Sequence, residues 1–581
     1  MSAETVLIHR NIPDSFGTNA YLSDPDFARL LRVYGAPDLV AAVEPHFIRL
    51  GGLVRADLDR LAQAADAHPP VLKQRTRAGA DLQSIDKHPS YVAMERHAFA
   101  EFGLAAMSHR AGVFGWPAPL PPVVKYGLTM LFVQAEFGLC CPVSMTDALT
   151  RTLTRFGAPE LVARFRDQLV SQDFDALFQG AMFMTEQDAG SDVGAITTMA
   201  RPAGDGSWRL TGDKWFCSNA DADLAMVLAR PEGGAAGTGG LSLFLLPRSL
   251  PDGRRNSYRI VRLKDKLGTR SMASGEIVLD GATAYLVGEA GSGFKQMTDM
   301  INMSRLSNAV RSAGLMLRAA HEALFIARHR LAFGRKLVAL PLMRRQLIKL
   351  VVAAEQGRSM ALHTADCLKR ADAGDAEAAK LMRILTPLMK FRTCRDARKV
   401  AGDGMEVRGG SGYIEEWSDA RVLRDAHLGS IWEGTSNIVA LDVARAIRRE
   451  QTLGVLQGYL LRLLETPGIP AASRRALGRA LDRAVAFAEQ VSADRAAEAE
   501  TRRMASGLYH AASAIVLAFE AARIGTDMRR LALAHLVLRH KLLPRDPLAA
   551  DDDAAALCDA LLDQAPVDAA LAMSLDVGPV S

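Results

Sequence analysis

The first candidate for chemistry in this chain is a single carboxylate in residues 430–438, Ser-Ile-Trp-Glu-Gly-Thr-Ser-Asn-Ile. Glu433 stands two residues before Thr435, a residue type that favours the N-cap of a helix, and an apolar periodic stretch follows. The dipole of that helix favours a charged carboxylate, whereas burial beside Ile431 and Trp432 disfavours the charge. This setting suits a general base, although a glutamate before a threonine cap is also an ordinary helix-entry residue.

Two polar stretches nearer the N-terminus contain residue types that hold flat heterocycles. Residues 182–195, Met-Phe-Met-Thr-Glu-Gln-Asp-Ala-Gly-Ser-Asp-Val-Gly-Ala, offer hydroxyls and backbone N–H groups that suit a polar ring edge or a phosphate. An ordinary Asx or Ser turn is the alternative. In residues 212–219, strand alternation puts Phe216 and Ser218 on one face, where an aromatic ring and a hydroxyl meet the same ligand. Core packing with a satisfied serine is the alternative there.

Two further segments have residues suited to phosphate or to close backbone approach. Residues 328–334, Arg-His-Arg-Leu-Ala-Phe-Gly, predict a helix end at which an arginine binds phosphate across an interface or is simply solvated. The cluster Gly409–Gly412 lets a ligand approach the backbone. No strand precedes this cluster, so it is not a Rossmann fingerprint.

Hydrophobic periodicity predicts the elements that position these segments. Helices are expected up to about residue 175, beginning at Asp24-Pro25, and long helices return from residue 291 to about residue 447. A separate helical block follows in residues 451–545, and the tail 546–581 predicts one short helix. The predicted strands are Ser207–Asn219, Leu224–Arg230, Leu241–Pro247, Tyr258–Leu263 and Gly275–Leu279.

The predicted fold class is therefore mostly α with a central β domain. A length of 581 residues also requires several domains. The predicted division is an N-terminal helical domain (1–178), a central β domain (179–290), a C-terminal helical bundle (291–450) and an additional helical domain with an acidic tail (451–581).

Composition excludes some classes of protein and leaves others open. The chain is 49% hydrophobic and 23% charged, and its net charge of +5 does not require a nucleic-acid partner. The six cysteines have no CxxC spacing, which favours reduced thiols, and we predict neither a disulfide nor a metal site. The N-terminus has no signal-peptide core, and no uncharged run approaches the ~20 apolar residues of a membrane span. We expect a cytoplasmic protein with no membrane partner.

Together, these segments resemble those of the acyl-CoA dehydrogenase family, in the same order over roughly residues 130–447. Four other stretches, 19–24, 88–89, 139–146 and 264–271, resemble its alkylation-response (AidB-type) subfamily, and this resemblance covers nearly the whole chain. It implies an acyl-CoA dehydrogenase-like fold: an N-terminal helical domain, a β-barrel-like domain, a four-helix bundle and an extra C-terminal helical domain. It also implies bound FAD and a homotetramer.

Carried over by position, the resemblance assigns the catalytic roles. Glu433 matches the base, Gly434 follows it beside the flavin, and Arg305 matches a buried arginine that holds the base ionised. Some family members place the base one residue before that arginine. The residue here is Ser304, which cannot serve, so Glu433 is the better candidate.

The resemblance also assigns the contacts to FAD. Phe216 matches an aromatic that packs on the isoalloxazine, and Ser218 matches a hydroxyl near flavin N5. Arg330 and Phe333 match residues that reach the FAD of a neighbouring subunit. The full set is Met184, Thr185, Ser191, Phe216, Ser218, Arg330, Phe333, Gly409, Gly410, Thr435 and Asn437.

The sequence departs from the family pattern at three of its positions. Pro341 and Glu406 stand where glutamines are common, which weakens the assigned cofactor contacts locally. Trp432 replaces a common tyrosine and is bulkier, which favours a short or reshaped acyl pocket.

The implied activity is α,β-dehydrogenation of an acyl-CoA, with a short or branched acyl group favoured by Trp432 and by the subfamily. An electron-transfer flavoprotein-type acceptor is expected to take the electrons. An acyl-CoA oxidase, which passes them to O₂, is an open alternative. A nitroalkane-oxidising relative is disfavoured, because the family resemblance gives that chemistry an aspartate where Glu433 stands.

A second functional class is a DNA-binding alkylation-response flavoprotein in which dehydrogenation is weak or vestigial. Residues 451–545 hold 13 arginines and one lysine against eight acidic residues, a net charge of +6. Four arginines of this block, at near-helical spacing, would form a stripe that meets the phosphates of double-stranded DNA. The stripe would be extended by Arg502, Arg503, Arg529 and Arg530, and two further basic residues near it would be Lys390 and Arg392. A solvated helix face is the alternative. The candidates are Arg474, Arg475, Arg479 and Arg483.

Overall fold

The structure is a computed structural model that describes residues 11–544, 548 and 554–575. The chain divides into two compact units. Unit 1 comprises Met1–Ala56, Pro121–Gln134 and Asn308–Ser581, and unit 2 comprises Asp57–Leu120 and Ala135–Ser307.

Helices account for most of the secondary structure. In chain order they are α1 (Pro25–Tyr34), α2 (Pro37–Val54), α3 (Asp57–Ala67), α4 (Pro89–Glu95), α5 (Pro122–Phe132), α6 (Cys140–Phe156), α7 (Pro159–Leu169), α8 (Gly293–His329), α9 (Pro341–Asp372), α10 (Ala376–Arg408), α11 (Ser418–Gly429), α12 (Ser436–Glu450), α13 (Thr452–Leu464), α14 (Ala471–Ala493), α15 (Thr501–Ile524), α16 (Arg529–Val537), α17 (Ala555–Leu562) and α18 (Ala569–Ala572).

The strands are concentrated in unit 2. They are β1 (Val71–Arg75), β2 (Asp81–Asp86), β3 (Gly180–Phe183), β4 (Met199–Pro202), β5 (Trp208–Ser218), β6 (Leu224–Pro231), β7 (Ser242–Pro247), β8 (Tyr258–Leu263) and β9 (Ser274–Val287), with the two-residue strands β10 (Leu331–Ala332) and β11 (Arg335–Lys336) in unit 1. The predicted fold class, mostly α with a central β domain, is confirmed.

The main sheet of unit 2 closes on itself. Strands β6, β4, β5, β9 and β7 pair in that order, and β7 pairs again with β6, while β3 and β8 add to β6 and β9. The interior is filled by apolar side chains that include Phe183, Leu210, Cys217, Val227 and Phe244. The register of β5 against β9 shifts between Lys214 and Cys217, which marks a bulge in the strand.

All five predicted strands are present, but six others were not predicted: β1 to β4 and the two-residue strands β10 and β11. Strands β3 and β4 have only four residues each, and β4 ends at Pro202, so neither shows a clear alternation. The hairpin of β1 and β2 lies in a region predicted to be helical. Its first strand, Val-Leu-Lys-Gln-Arg, is mostly exposed and therefore has no apolar alternation to detect.

The core of unit 1 includes helices that lie far apart in the sequence. Helix α9 packs along α10, and α11 and α12 pack on α10. Helix α15, in the predicted additional domain, packs on α9, α10 and α12 as well as on its own neighbours. One stretch of the described residues, Arg495–Ile524, is long and apolar enough for a membrane span, but it is mostly buried inside the protein, as a core helix is.

The predicted start of the first helix is confirmed, and one predicted detail of unit 1 is wrong. Asp24 occupies the N-cap position of α1, although its side chain makes no cap hydrogen bond and instead accepts one from Arg358 on α9. The described part of the tail has two short helices, α17 and α18, rather than one. Asp551, Asp552 and Asp553 lie outside the described residues.

Candidate functional site

The predicted base lies in a left-handed turn between two helices of unit 1. Glu433 follows the end of α11, and its backbone has φ of +59°. Gly434 continues the turn with φ of +98°, and α12 begins two residues later. A left-handed backbone at a glutamate is strained, and such strain persists only where the surroundings hold it. The direction of the half-buried Glu433 side chain therefore depends on this turn, and neighbouring residues must hold the turn in place.

A buried lysine supplies one such support. The Lys390 ammonium, on α10, donates to the carbonyl oxygen of Gly434, and the lysine is only 1% exposed. Two neighbouring contacts fix the ends of the turn. The amide of Asn308 donates to the carbonyl of Gly429 at 2.9 Å, and Arg395 donates to the Ser436 hydroxyl at 3.3 Å.

The arginine buried next to this turn in unit 1 is Arg311. Its guanidinium carbon lies 4.8 Å from the centre of the Trp432 ring, and its side chain is fully buried. Arg305, predicted to be the buried arginine, is half-buried and belongs to unit 2, so the prediction of its burial is wrong. Arg305 and Arg311 share one helix, α8, and their spacing alone does not show which of them is buried.

Thr435 and Asn437 lie at the start of α12, and both are exposed. Thr435 occupies the predicted N-cap position, but its hydroxyl makes no cap hydrogen bond. Its backbone carbonyl still accepts from the N–H of Val439 at 3.0 Å, which begins the helix. Both polar side chains therefore remain at the surface of unit 1.

In unit 2, the loop that contains Met184 and Thr185 is tied to strand β5 by a buried ion pair. The Lys214 ammonium lies 2.7 Å from the Glu186 carboxylate and 3.4 Å from the carbonyl oxygen of Met184. The N–H of Trp215 donates to the Thr185 carbonyl at 2.8 Å. The main chain at both predicted flavin contacts is thereby fixed.

Glu186 is ionised because of these contacts. Burial acts to raise the pKa of this carboxyl, but the charge and hydrogen bond of Lys214 outweigh it. The hydroxyl of Thr198 and the backbone N–H of Thr197 donate to the same carboxylate. Together these contacts lower the pKa of Glu186 to about 2.

The bulge in β5 presents an aromatic ring. Phe216 has φ of +55° and is 61% exposed, which is unusual for so large an apolar side chain. Cys217 is buried in the core and Ser218 is half-buried, as expected if Phe216 and Ser218 share the outer face. The Lys264 ammonium lies 4.9 Å from the centre of the Phe216 ring and 3.6 Å from that of Trp215.

Two other predicted contacts, Arg330 and Gly409, meet in unit 1. The Arg330 guanidinium donates to the carbonyl of Arg408 at 2.7 Å. A Cβ added at Gly409 would lie 3.6 Å from the same guanidinium. Phe333 lies in the turn of the β10–β11 hairpin and is 92% exposed.

The residues assigned to FAD fit that cofactor. The exposed ring of Phe216 is suited to a flat heterocycle, and its unusual exposure is otherwise unexplained within unit 2. A Cβ added at Gly410 would meet open space, so the backbone there is accessible. Ser191 is also exposed, and its hydroxyl is available to a polar group. Arg330 has a guanidinium, a group suited to a pyrophosphate.

The four DNA-binding candidates lie on α14 of unit 1. Arg475, Arg479 and Arg483 are exposed and recur every fourth residue, so they share one helix face. Arg474 is half-buried and pairs with Glu465 at 2.9 Å. Of the four candidates, only Arg475, Arg479 and Arg483 therefore form an open stripe.

The predicted extensions of the stripe are partly wrong. Arg529 and Arg530 are buried, and Arg530 pairs with Glu520 at 2.7 Å and Glu355 at 3.0 Å. Lys390 is buried on α10 and donates to the Gly434 carbonyl, and Arg392 pairs with Asp396. Helical spacing does not distinguish an exposed arginine from one that is buried and paired.

Across the described residues, no group of three or more His, Cys, Asp or Glu side chains is arranged to hold a metal ion. The cysteines are free thiols.

Comparison with known proteins identifies the class. Residues 11–176 match the N-terminal domain of the adaptive response protein AidB, residues 181–282 match the acyl-CoA dehydrogenase middle domain, and residues 291–448 match the acyl-CoA dehydrogenase C-terminal domain. The putative acyl-CoA dehydrogenase AidB of Escherichia coli is 35% identical over 451 residues, which are 74% of this chain and 79% of that protein.

A sequence comparison and a structure comparison with Caenorhabditis elegans agree. Acyl-CoA dehydrogenase family member 11 is 32% identical over 449 residues, which are 75% of this chain and 72% of that protein. The crystal structure of ACDH-11 in complex with C11-CoA has a TM-score of 0.85 and 27% identity, and covers 92% of this chain and 93% of that chain.

The chain therefore belongs to the acyl-CoA dehydrogenase family and is an oxidoreductase that acts on acyl-CoA. Its N-terminal domain match and its similarity to the Escherichia coli protein make it a member of the AidB type within that family. The acyl-CoA dehydrogenase fold and the extra C-terminal helices expected from the resemblance are confirmed.

Proposed function

We propose that the protein is an FAD-dependent acyl-CoA dehydrogenase that introduces an α,β double bond into a short or branched acyl-CoA, with Glu433 as base. The observation that carries the proposal is the turn at Glu433. A glutamate there adopts a strained left-handed backbone directly before α12, and a buried lysine holds the next carbonyl. Strain held in place by neighbouring side chains is typical of functional residues.

The α-proton of a thioester is weakly acidic, and its removal needs both a base and a polarised carbonyl. The Glu433 carboxylate takes the proton from the α-carbon. The backbone N–H of Glu433 donates to the thioester oxygen as negative charge develops there. When bound, FAD supplies the acceptor for the hydride that leaves the β-carbon.

The FAD contacts fall into three sets of this chain's residues. Met184, Thr185 and Ser191 offer backbone and hydroxyl groups, and Phe216 with Ser218 offers a ring and a hydroxyl on the outer face of β5. Arg330, Phe333, Gly409 and Gly410 offer charge and an open backbone toward the FAD of a neighbouring subunit in a homotetramer. Thr435, Asn437 and Gly434 complete the set at the start of α12.

Trp432 supports the proposed substrate class. Its indole is half-buried, and the Arg311 guanidinium lies against its ring, which holds a bulky group next to the base. A short or branched acyl group is therefore favoured over a long one. The C. elegans ACDH-11 structure contains C11-CoA, which supports a CoA thioester and sets a medium-chain alternative for the same test.

The test replaces the base. The Glu433→Gln variant is expected to retain FAD, measured by its visible absorbance, and to lose turnover with every acyl-CoA, because an amide cannot accept the proton. Glu416→Gln, at an exposed glutamate just before α11, is the matched control and is expected to keep full activity. Turnover by Glu433→Gln at the wild-type rate would contradict the assignment.

The remaining assignments also rest on the resemblance. We propose an electron-transfer flavoprotein-type acceptor and a cytoplasmic location. Fast aerobic peroxide production by the purified protein would instead mark an acyl-CoA oxidase.

A second candidate function is binding of double-stranded DNA in an alkylation response. The specific observation in its favour is the open stripe of Arg475, Arg479 and Arg483 on one face of α14. Such a stripe would bind the backbone phosphates by electrostatic attraction, and it would not recognise a particular base sequence. A gel-shift or anisotropy titration at several salt concentrations tests it.

A further inference from the structure

The peptide that follows the proposed base is held by a charged side chain from another helix. The Lys390 ammonium donates to the carbonyl oxygen of Gly434, and Lys390 lies on α10, 44 residues before the glycine. This lysine is almost completely buried. Burying an ammonium is unfavourable unless it is well bonded, so the site must hold it firmly.

The turn needs such a bond. Glu433 and Gly434 both have positive φ, and helical hydrogen bonding does not resume until the N–H of Val439 donates to Thr435. The supports on either side act on Gly429 and Ser436, outside the strained pair. The contact from Lys390 is made to the strained pair itself.

The surroundings of Lys390 leave little room for the turn to shift. A Cβ added at Gly429 would lie 2.8 Å from the Ser312 hydroxyl and 3.5 Å from the Cβ of Cys394, so the end of α11 packs closely on α8 and α10. Cys394 is one turn after Lys390 on the same face of α10, and its Sγ lies 3.9 Å from the Asn308 carbonyl oxygen. Lys390 therefore contacts Gly434 from a closely packed part of α10.

We propose that Lys390 is a positioning residue for the base: its hydrogen bond to the Gly434 carbonyl fixes the left-handed turn and thereby aims the Glu433 carboxylate at the α-proton. This inference rests on the proposed function, since it takes Glu433 as the base. The distinctive consequence is that loss of the bond slows proton removal more than it weakens binding of the thioester. A displacement of about 1 Å at a reacting group lowers rates by about 100-fold.

The closing experiment measures proton removal without the redox step. A 3-thiaacyl-CoA has sulfur in place of the β-carbon and cannot lose a hydride, so its α-hydrogens exchange with D₂O only through a base. Mass spectrometry follows this exchange with FAD-loaded wild type, Lys390→Met and Lys390→Gln. The matched control is Lys399→Met, at an exposed lysine of the same helix.

The proposal predicts exchange about 100-fold slower in Lys390→Met, with the binding constant of the 3-thiaacyl-CoA within about threefold of wild type. Lys390→Gln keeps a neutral donor on a shorter side chain, so its exchange rate is expected to lie between those of wild type and Lys390→Met. If Lys390→Met does not fold, the exchange rate of Lys390→Gln tests the proposal. Lys399→Met should behave as wild type. Exchange at the wild-type rate in whichever Lys390 variant folds would overturn the proposal.

Two further readouts separate this failure from failure of the proposed function. Glu433→Gln should abolish the α-hydrogen exchange, and if it does not, Glu433 is not the base. Amide hydrogen exchange of residues 430–436 reports on the turn without any thioester, and it should accelerate in the Lys390 variants alone. Unchanged amide exchange there would show that Lys390 does not hold the turn, whatever the identity of the base.

Discussion

Lys214 and Glu186 form a buried ion pair of 2.7 Å that joins strand β5 to the loop of Met184 and Thr185. Lys214 is fully buried and also donates to the backbone carbonyl of Leu228 at 2.8 Å. It comes one residue before Trp215 and the bulge that exposes Phe216. A single buried contact thus holds together the two groups of residues in unit 2 to which FAD contacts are assigned.

Removal of one partner of this pair is predicted to be costly. In Lys214→Met, the Glu186 carboxylate remains buried without its counter-charge, which typically destabilises a protein by about 3–5 kcal/mol. Urea denaturation should show this loss, and the variant should release FAD more readily than wild type. The double variant Lys214→Met/Glu186→Gln should be more stable than Lys214→Met, because no uncompensated charge remains. Destabilisation by less than about 1 kcal/mol would contradict the importance of the pair.

A matched control for that comparison is the exposed pair of Arg201 and Glu232 in the same unit. Its two charged groups lie 3.2 Å apart, but both side chains are more than half exposed. Glu232→Gln is expected to change the free energy of unfolding by about 0–1 kcal/mol.

Stability is predicted to fall in mildly acidic solution because of buried histidines in unit 1. Burial lowers the pKa of His510 to about 3 and that of His363 to about 4. The unfolded state, with an ordinary pKa of about 6.5, therefore binds more protons between pH 6.5 and about 4, and stability is lost as the pH falls through that window. At pH 5 each histidine should cost about 2 kcal/mol relative to neutral pH.

The measurement is the urea midpoint of unfolding at pH 7 and pH 5. His510→Gln should lose less stability between the two values than wild type does, since it has one fewer group to titrate. His68→Asn, at an exposed histidine, should follow the wild-type curve. A His510→Gln curve parallel to that of wild type would exclude this origin of the acid sensitivity.

The Arg530 network is predicted to make the C-terminal helices part of the core. Arg530 is fully buried on α16 and pairs with Glu520 on α15 and Glu355 on α9. Arg530→Met leaves both carboxylates buried without this partner and should destabilise the protein by about 3–5 kcal/mol. Arg475→Gln, on the exposed stripe, should change stability by no more than about 0.5 kcal/mol. Equal stability of the two variants would show that the network is unimportant.

The sequence predicts those features that depend on local pattern. Strand β8 has the predicted bounds, Tyr258–Leu263, because aromatic and β-branched residues are concentrated there between clear turn signals. The turn before α12 is also predictable, since Gly434 and Thr435 are local signals. The four-part domain division and the roles of the assigned site residues remain predictions.

Features that depend on contacts between distant segments cannot be read from the sequence. Lys390 and Arg530 have the spacing of a basic surface, because helical periodicity does not show which charged residues have buried partners. Lys390 meets Gly434 only when α10 packs against α11 and α12. The Lys214–Glu186 pair likewise requires the pairing of strands around the closed sheet.

If the DNA-binding candidate is correct, the stripe on α14 controls the salt dependence. The triple variant Arg475→Gln/Arg479→Gln/Arg483→Gln should bind duplex DNA more weakly, and the slope of log affinity against log salt should flatten by about 1 for each phosphate that is no longer neutralised. The triple variant Arg201→Gln/Arg254→Gln/Arg259→Gln removes the same charge from exposed arginines of unit 2. Equal effects of the two triples would exclude a specific stripe.

The proposed dehydrogenation is best tested by anaerobic bleaching of the flavin band with a panel of acyl-CoAs, from butyryl-CoA and isovaleryl-CoA through undecanoyl-CoA to palmitoyl-CoA. The proposed reaction predicts rapid, stoichiometric bleaching of the FAD-loaded wild type by a short or branched member, and none in Glu433→Gln. An FAD-loaded wild type that no thioester bleaches, or a Glu433→Gln variant that bleaches at the wild-type rate, would contradict it.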